Sequence, residues 1–242
     1  MRVEQSSVRG VELIGPETVE FLEAVTSLLG RKPDETLAPA LPFSVVVRNN
    51  SSRALAFLGV RFEMVARHRK PYSVIHYADT LRNPERADLQ PGAMRFVCVE
   101  PTYTEFVLRR AVDVDRRGQM NLENLRVASE IRASVDCAAF DDGAFSGPDA
   151  LGAFDRLALE TIAEARFIQE LLRPGCALHA LLDSALEIPI EKTRDRALVA
   201  RRSLAKRIAE GLYLGGIEEA LARARSHKLR IELRRSEDVL SA

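Results

Sequence analysis

The spacing of apolar residues changes twice along this chain, from helical to alternating near residue 43 and back to helical near residue 149. The first stretch contains "GPETVEFLEAVTSLLG", in which Val19, Leu22, Val25, Leu28 and Leu29 fall on one helical face. Pro16 suits a first-turn position, Glu17 and Glu20 complement the positive end of the helix dipole, and Gly30 can close the helix in the left-handed conformation. The proline-containing segment "RKPDETLAPALP" reads as a linker, so residues 1–40 are expected to form a helix appended to the β domain.

From Phe43 the period is two. Leu58, Val60, Phe62, Met64 and Ala66 alternate with Gly59, Arg61, Glu63, Val65 and Arg67, the pattern of a strand with one face on a core and the other in water. "FSVVVRN" precedes it across a polar break from Asn49 to Ser52, and "YSVIHYA", "AMRFVCVE", "TEFVLRRAVDVD" and "IRASVDCAAF" supply further strands. This density of short strands predicts an antiparallel β-sandwich of immunoglobulin-like type over residues 41–145, without the Cys-Trp-Cys pattern of antibody domains.

The alternating stretch ends in "FDDGAFSGPD", Phe140 to Asp149. With Asp142-Gly143 as a two-residue hairpin turn, Phe140 lies opposite Phe145 as a cross-strand aromatic pair. Gly147-Pro148 then ends the strand, and a helix is expected to start either from Ser146 with Asp149 three positions on as a capping box or from Asp149 itself as the cap. The same residues hold three carboxylates, which makes Asp141, Asp142 and Asp149, together with a histidine, the candidates for a metal-dependent hydrolase centre. Adjacent Asp141 and Asp142 lack the alternating oxygen ligands of a calcium loop, and turn chemistry accounts for every residue of the segment.

Beyond Asp149 the period is helical. "ALGAFDRLALETIAEARFIQELL" carries apolar residues on two sides, Phe154, Leu157 and Ile168 on one and Leu159, Ala163 and Phe167 on another, which calls for two neighbours or a second copy of the chain. A second helix follows Pro174-Gly175, a third runs to Gly215-Gly216, a fourth covers "IEEALARARSHKL", and "RIELRRSEDVLSA" is a short strand or loose tail. The expected fold is therefore α+β: an N-terminal helix and linker (1–40), an immunoglobulin-like β-sandwich (41–145) and an α-helical domain (146–242).

Charge refines this picture. Lys+Arg and Asp+Glu balance at 35 each, which argues against nucleic-acid binding by bulk charge. Residues 136–190 carry 3 basic and 10 acidic side chains, whereas 191–235 carry 13 and 6, so an acidic helical stretch precedes a basic one. Arg194 and Arg201, seven apart on the apolar side of the third helix, are the candidate interaction residues. They pair with carboxylates of the acidic stretch, such as Glu164 or Asp155, or else form an anion site. The basic residues Arg223, Arg225, Lys228, Arg230, Arg234 and Arg235 have no interleaved aromatics for base stacking. Cys176 and His179 stand three apart, and His76 and Asp79 are similarly spaced, but neither pair belongs to a complete metal or nucleophile motif. Cys98, Cys137 and Cys176 are too few and too far apart for a disulfide framework, and no run is long enough for a membrane span or has the layout of a signal peptide, so a cytoplasmic location is expected.

"LPFSVVVRNNSSRALAFLGVRFEMV", "LQPGAMRFV" and "FDDGAFSGPD" followed by an amphipathic helix resemble a set of bacterial proteins of unknown function. In that set an immunoglobulin-like β domain precedes an F-x-D-G-x-F-x-G-P-D-like segment and then helices; many members carry an export signal. The resemblance spans residues 40–172 and implies the fold without implying an activity. The expectation is a non-enzymatic interaction or scaffolding protein with a protein partner or a second copy of itself, and no cofactor. The alternatives are a hydrolase using Asp141, Asp142 or Asp149, and anion or nucleic-acid binding through Arg194, Arg201 and the basic C-terminal segment.

Overall fold

A computed structural model describes residues 1–66, 69–81, 87–109, 114, 116–126, 128–189, 191, 193–226 and 233–235. The chain is mixed α+β and divides into two units, one formed by Met1–Thr80, Arg86–Asp149 and Arg234–Ala242, the other by Leu81–Glu85 and Ala150–Leu233. The first is the sheet unit and the second the helical unit.

The sheet unit contains β1 (Arg2–Val3), β2 (Val11–Ile14), α1 (Val19–Leu29), a 3-10 helix (Ala38–Phe43), β3 (Ser44–Asn49), β4 (Leu55–Ala66), β5 (Arg69–Asp79) and β6 (Met94–Cys98). It continues with α2 (Pro101–Arg109), α3 (Arg116–Leu125), β7 (Glu130–Phe140), β8 (Ala144–Ser146) and β9 (Arg234–Arg235). One sheet has the order β5-β4-β7-β8-β9, with β1 also paired to β7; the other has the order β2-β3-β6. Val11, Val45, Val47 and Val97 of the smaller sheet meet Leu58, Val60, Phe62, Met64, Ile131, Ala133 and Val135 of the larger in one core. The opposite face of the smaller sheet presents Ile14, Val46, Phe96 and Cys98 to Phe21 and Val25 of α1, Tyr103 and Val107 of α2 and Leu122 of α3.

That second core corrects the expected division at residue 40. Residues 1–40 are not an appendage: β2 pairs with β3 from Val11↔Asn49 to Ile14↔Val46, and α1 closes the outer face of the same sheet. The helix itself stops on the expected residue, with Gly30 left-handed at φ 68°, but it starts later than expected. Thr18 is the cap, its hydroxyl accepting the Phe21 amide, so Pro16 and Glu17 precede the first turn. Val19 and Leu22 of the expected apolar face are exposed, while Phe21, Ala24, Val25 and Leu29 are buried. "TEFVLR" of the expected strand "TEFVLRRAVDVD" is also corrected, from strand to helix α2, while residues 110–113 and 115 of that stretch lie outside the described residues. Its β-favouring residues are overridden at the N-terminus, where Pro101 supplies a helical φ and the Glu100 carboxylate accepts from the Thr102 amide (3.4 Å) and hydroxyl (2.8 Å). The polar break after β3 is a buried staple: the Asn49 side-chain amide donates to the carbonyls of Arg53 (2.7 Å) and Leu89 (2.8 Å), and its oxygen accepts from the Ser51 amide at 3.0 Å.

The β7–β8 hairpin has a different register from the one expected. Ala139, not Phe140, lies opposite Phe145, and Asp141, Asp142 and Gly143 form a three-residue loop closed by Gly143 N–H to Phe140 O at 3.0 Å. One position of slip moves the side chains to opposite faces, so Phe140 joins the inter-sheet core and the aromatic pair does not form.

The helical unit consists of α4 (Ala153–Leu171), α5 (Leu178–Leu186) and α6 (Arg196–Ser226), with Phe167, Leu171, Leu182, Leu204 and Ile208 at its centre. The chain breaks helical geometry at Gly216 (φ 71°, ψ −161°), where the sequence separates a third helix from a fourth. The two halves of α6 fold back on each other: Arg223 donates to the Arg207 carbonyl at 3.4 Å, where a straight helix would hold residues sixteen apart at about 24 Å. Gly211 permits the approach, since a Cβ there would sit 2.6 Å from Arg223 Cδ. Among the described residues no helix is long and apolar enough to cross a membrane.

Phe96 is fully buried where the smaller sheet meets the helices. Phe96→Ala is expected to lower unfolding free energy by about 3–5 kcal/mol, read as a reduced denaturant midpoint at unchanged slope.

Candidate functional site

The larger sheet carries one irregularity that gathers ionisable groups. Gly59 pairs with Cys137 but Val60 pairs with Val135, so Asp136 is an extra residue, a bulge, in β7. The segment after β8 crosses this bulge at close range. Gly147 has φ 117°, and a Cβ on it would stand 2.5 Å from the Asp136 carbonyl oxygen and 2.7 Å from Cys137 Cα. Asp149, itself left-handed at φ 54°, donates its amide to the Asp136 carbonyl at 3.0 Å. The result is a buried cluster in which donor atoms of Asp136, Cys137 and Asp149 lie within 4.8 Å of one another. Arg235 from β9 brings Nη2 to 3.5 Å from Asp149 Oδ2.

Two carboxylates and a thiol are donors that zinc accepts. The Arg235 guanidinium already supplies positive charge to Asp149, and the backbone bond from Asp149 to Asp136 ties the crossing segment to the bulge. Chemically, then, the cluster fastens the exit from the sheet unit. This corrects the expected role of Asp149: α4 starts at Ala153 with Gly152 at its cap position, so Asp149 is not the helix cap.

The other sequence candidates are dispersed. Asp141 and Asp142 are exposed on the hairpin loop. Asp142 accepts from Arg53 Nη1 at 2.9 Å and from the Ala144 amide at 3.0 Å. Partial burial works to raise its carboxyl, but the Arg53 and Ala144 hydrogen bonds prevail and hold it below the usual range. Arg53 also covers the Phe140 ring at 3.9 Å. Asp141, Asp142 and Asp149 therefore do not converge into the metal-dependent hydrolase centre weighed from the sequence. His76 lies on β5 between Val74 and Ala78, which pack on the inter-sheet core, and meets the Phe62 ring edge-on at 5.6 Å. Asp79, three positions on, points to the other face of the strand, so strand geometry does not bring the two together. His68 and His227 lie outside the described residues.

Arg201 takes the structural role: Nη2 is 2.8 Å from Glu170 Oε2 and the guanidinium covers the Phe167 ring at 4.6 Å. Glu164 is paired with Arg207 at 3.6 Å. Arg194 corrects the expected pairing, because Asp195 caps α6 by accepting the Ala197 amide at 2.9 Å and Arg194 precedes the helix, exposed. The two arginines thus do not share a helical face. Cys176 also precedes its helix, so helical spacing to His179 does not apply; both residues line a cleft of about 620 Å³ with Arg173, Ile217 and Leu221. In the basic segment Arg223 pairs with Glu219 at 2.9 Å, Arg234 and Arg235 are exposed, and Lys228 and Arg230 lie outside the described residues. Burial pushes the Cys98 thiol up to about 11, so it stays protonated at neutral pH and packs as a small apolar side chain.

Asp136 and Cys137 do not stand out in the sequence. "SVDCAAF" reads there as an ordinary strand, and nothing in its composition marks a bulge. No family model matches this chain, and no curated protein or solved structure matches it significantly. The functional reading therefore rests on geometry.

Gly147→Ala is expected to destabilise the protein by at least about 1–3 kcal/mol from the backbone conformation alone, checked by chemical unfolding. Burial lowers the His76 imidazole below its ordinary value, against the opposing hydrogen bond to the Val99 backbone and the Glu100 charge. The unfolded chain then takes the proton first as pH falls through about 6.5, so stability is full above that value and declines below it until the folded pKa is reached. Unfolding free energies from pH 7.5 to 5 are expected to fall less steeply in His76→Gln than in the parent.

Proposed function

We propose that this protein is a non-enzymatic interaction protein, an immunoglobulin-like β unit with a helical unit inserted before its last strand, which works by binding other protein surfaces, a second copy of itself among them. Strand order supports the fold reading. Across the sheets, the orders β2-β3-β6 and β5-β4-β7-β8 are those expected of strands A-B-E and C′-C-F-G if the strands are lettered along the chain. The α2–α3 connection, β1 and β9 are additions to that plan.

The observation that carries the binding reading is the apolar turn in the middle of α6. Tyr213 is 91% exposed, Leu214 72% and Ile217 50%, on the two sides of the Gly216 break. Leu159 and Ile162, three apart on α4, are exposed as well. Large apolar side chains at such exposure gain free energy when a partner covers them, and tyrosine is favoured at the centre of protein interfaces. The dispersal of Asp141, Asp142, Asp149 and His76 removes support from the hydrolase alternative, and the engagement of Arg201 with Glu170 weakens the anion-binding one.

Sedimentation velocity over a wide concentration range tests this reading. A concentration-dependent dimer is expected, and Tyr213→Ser combined with Leu214→Ser is expected to return the protein to monomer with its melting temperature intact. A parent chain that stays monomeric throughout, or a double variant that associates equally well, would count against it.

A further inference from the structure

We infer that the groove beside β2 receives an extended peptide segment of a partner protein, alternating basic and apolar residues, which pairs with β2 as an added strand. The inference rests on the interaction reading above and names a second surface and its occupant. Among the described residues β2 is an edge strand with β3 as its sheet neighbour. The Asn50 amide donates to the Gly10 carbonyl at 2.7 Å, and antiparallel alternation then turns the polar groups of Gly10, Glu12 and Ile14 toward β3 and those of Val11 and Leu13 away from it. The Val11 amide is taken by the Val8 carbonyl at 3.1 Å. Val11 is buried, so the outward edge offers the amide and carbonyl of Leu13, a donor–acceptor pair of the kind by which an added strand is recognised.

A cavity of about 650 Å³ opens along that edge, between residues 4–10, β2 and the first turn of α1. Val3 and Leu13 give its wall an apolar strip, while Glu4, Glu12, Glu17 and Glu20 line it against Arg9. Arg48 is shared between Glu12 (3.4 Å) and Glu20 (2.6 Å), and the Met1 amino group lies 3.2 Å from Glu17. These carboxylates face Arg9, Arg48, the Met1 amino group and, at Glu4, the charge of Arg132, and Glu4 and Glu17 stand exposed at the rim. An incoming strand places alternate side chains on opposite faces, so a segment alternating lysine or arginine with valine or leucine sets its charges against these glutamates and its apolar residues against Val3 and Leu13.

The test uses the full chain and two blocked nonapeptides, one alternating Val and Lys and one alternating Val and Glu, with fluorescence anisotropy and amide hydrogen exchange as readouts. The Val–Lys peptide is expected to bind at least about tenfold more tightly, to lose affinity as salt rises and to slow exchange of the Leu13 amide. Glu4→Lys with Glu17→Lys, both at exposed positions, is expected to weaken that peptide at least about tenfold while the melting temperature holds. Equal affinity for the two peptides, no detectable binding, or binding without protection at Leu13 overturns the inference. Because self-association through Tyr213 and Leu214 is measured separately, a failure at β2 with the dimer intact removes this groove alone, and loss of the dimer with peptide binding intact removes the other surface alone.

Discussion

Val45, Val46 and Val47 are fully buried because β3 lies between two cores, with Val45 and Val47 turned to the larger sheet and Val46 turned to the helices. A strand apolar on both faces cannot remain at a surface, so both sides of the smaller sheet must be covered. The larger sheet covers one side, and α1, α2 and α3 cover the other. The early residues of the chain are consequently structural: β2 extends the smaller sheet by one strand and α1 shields Phe96 and Val46 from water. The edge that β2 leaves outward is the consequence of stopping that sheet at three strands.

A second constraint governs how the chain leaves the sheet unit. The bulge at Asp136 and the left-handed residues Gly147 and Asp149 bring the crossing segment against β7, while Arg234 donates its amide to Gly143 at 2.8 Å where the chain re-enters beside β8. Exit and re-entry are thus neighbours within the same unit, the geometry that lets a long insertion be accommodated without disturbing the host. The polar residues concentrated there, Asp136, Asp149 and Arg235, have a positional task, and the chemistry that three carboxylates in "FDDGAFSGPD" suggest is divided between an exposed loop and a buried fastening.

The surfaces proposed for partners lie elsewhere. Tyr213, Leu214 and Ile217 are exposed because a helical hairpin must turn, and the residues of the turn have neither half of α6 to pack against. This chain places large apolar residues at that turn, where Gly or polar residues would serve the backbone equally well. The β2 edge offers a different kind of contact, main-chain groups with carboxylates at the rim. The two surfaces use separate physical terms, apolar burial in one and strand pairing with charge in the other.

Periodicity alone marked α1, β4 and the helical stretch beyond residue 150 as elements of the right kind, because the apolar residues of each repeat with its own geometry. The break at Gly216 was legible too, since paired glycines interrupt a helix whatever surrounds them. Local residues also carried the turn character of Asp141 to Gly143, but not its register, which depends on how many residues pair with β7. Tertiary structure decided what no local pattern encodes: that "TEFVLR" becomes a helix with Val107 packed against the smaller sheet, that residues 1–40 complete a sheet, and that Asp136 leaves the ladder to meet Asp149. Each outcome depends on a partner brought close only by folding, and the spacing of residues along a chain holds no record of partners that distant.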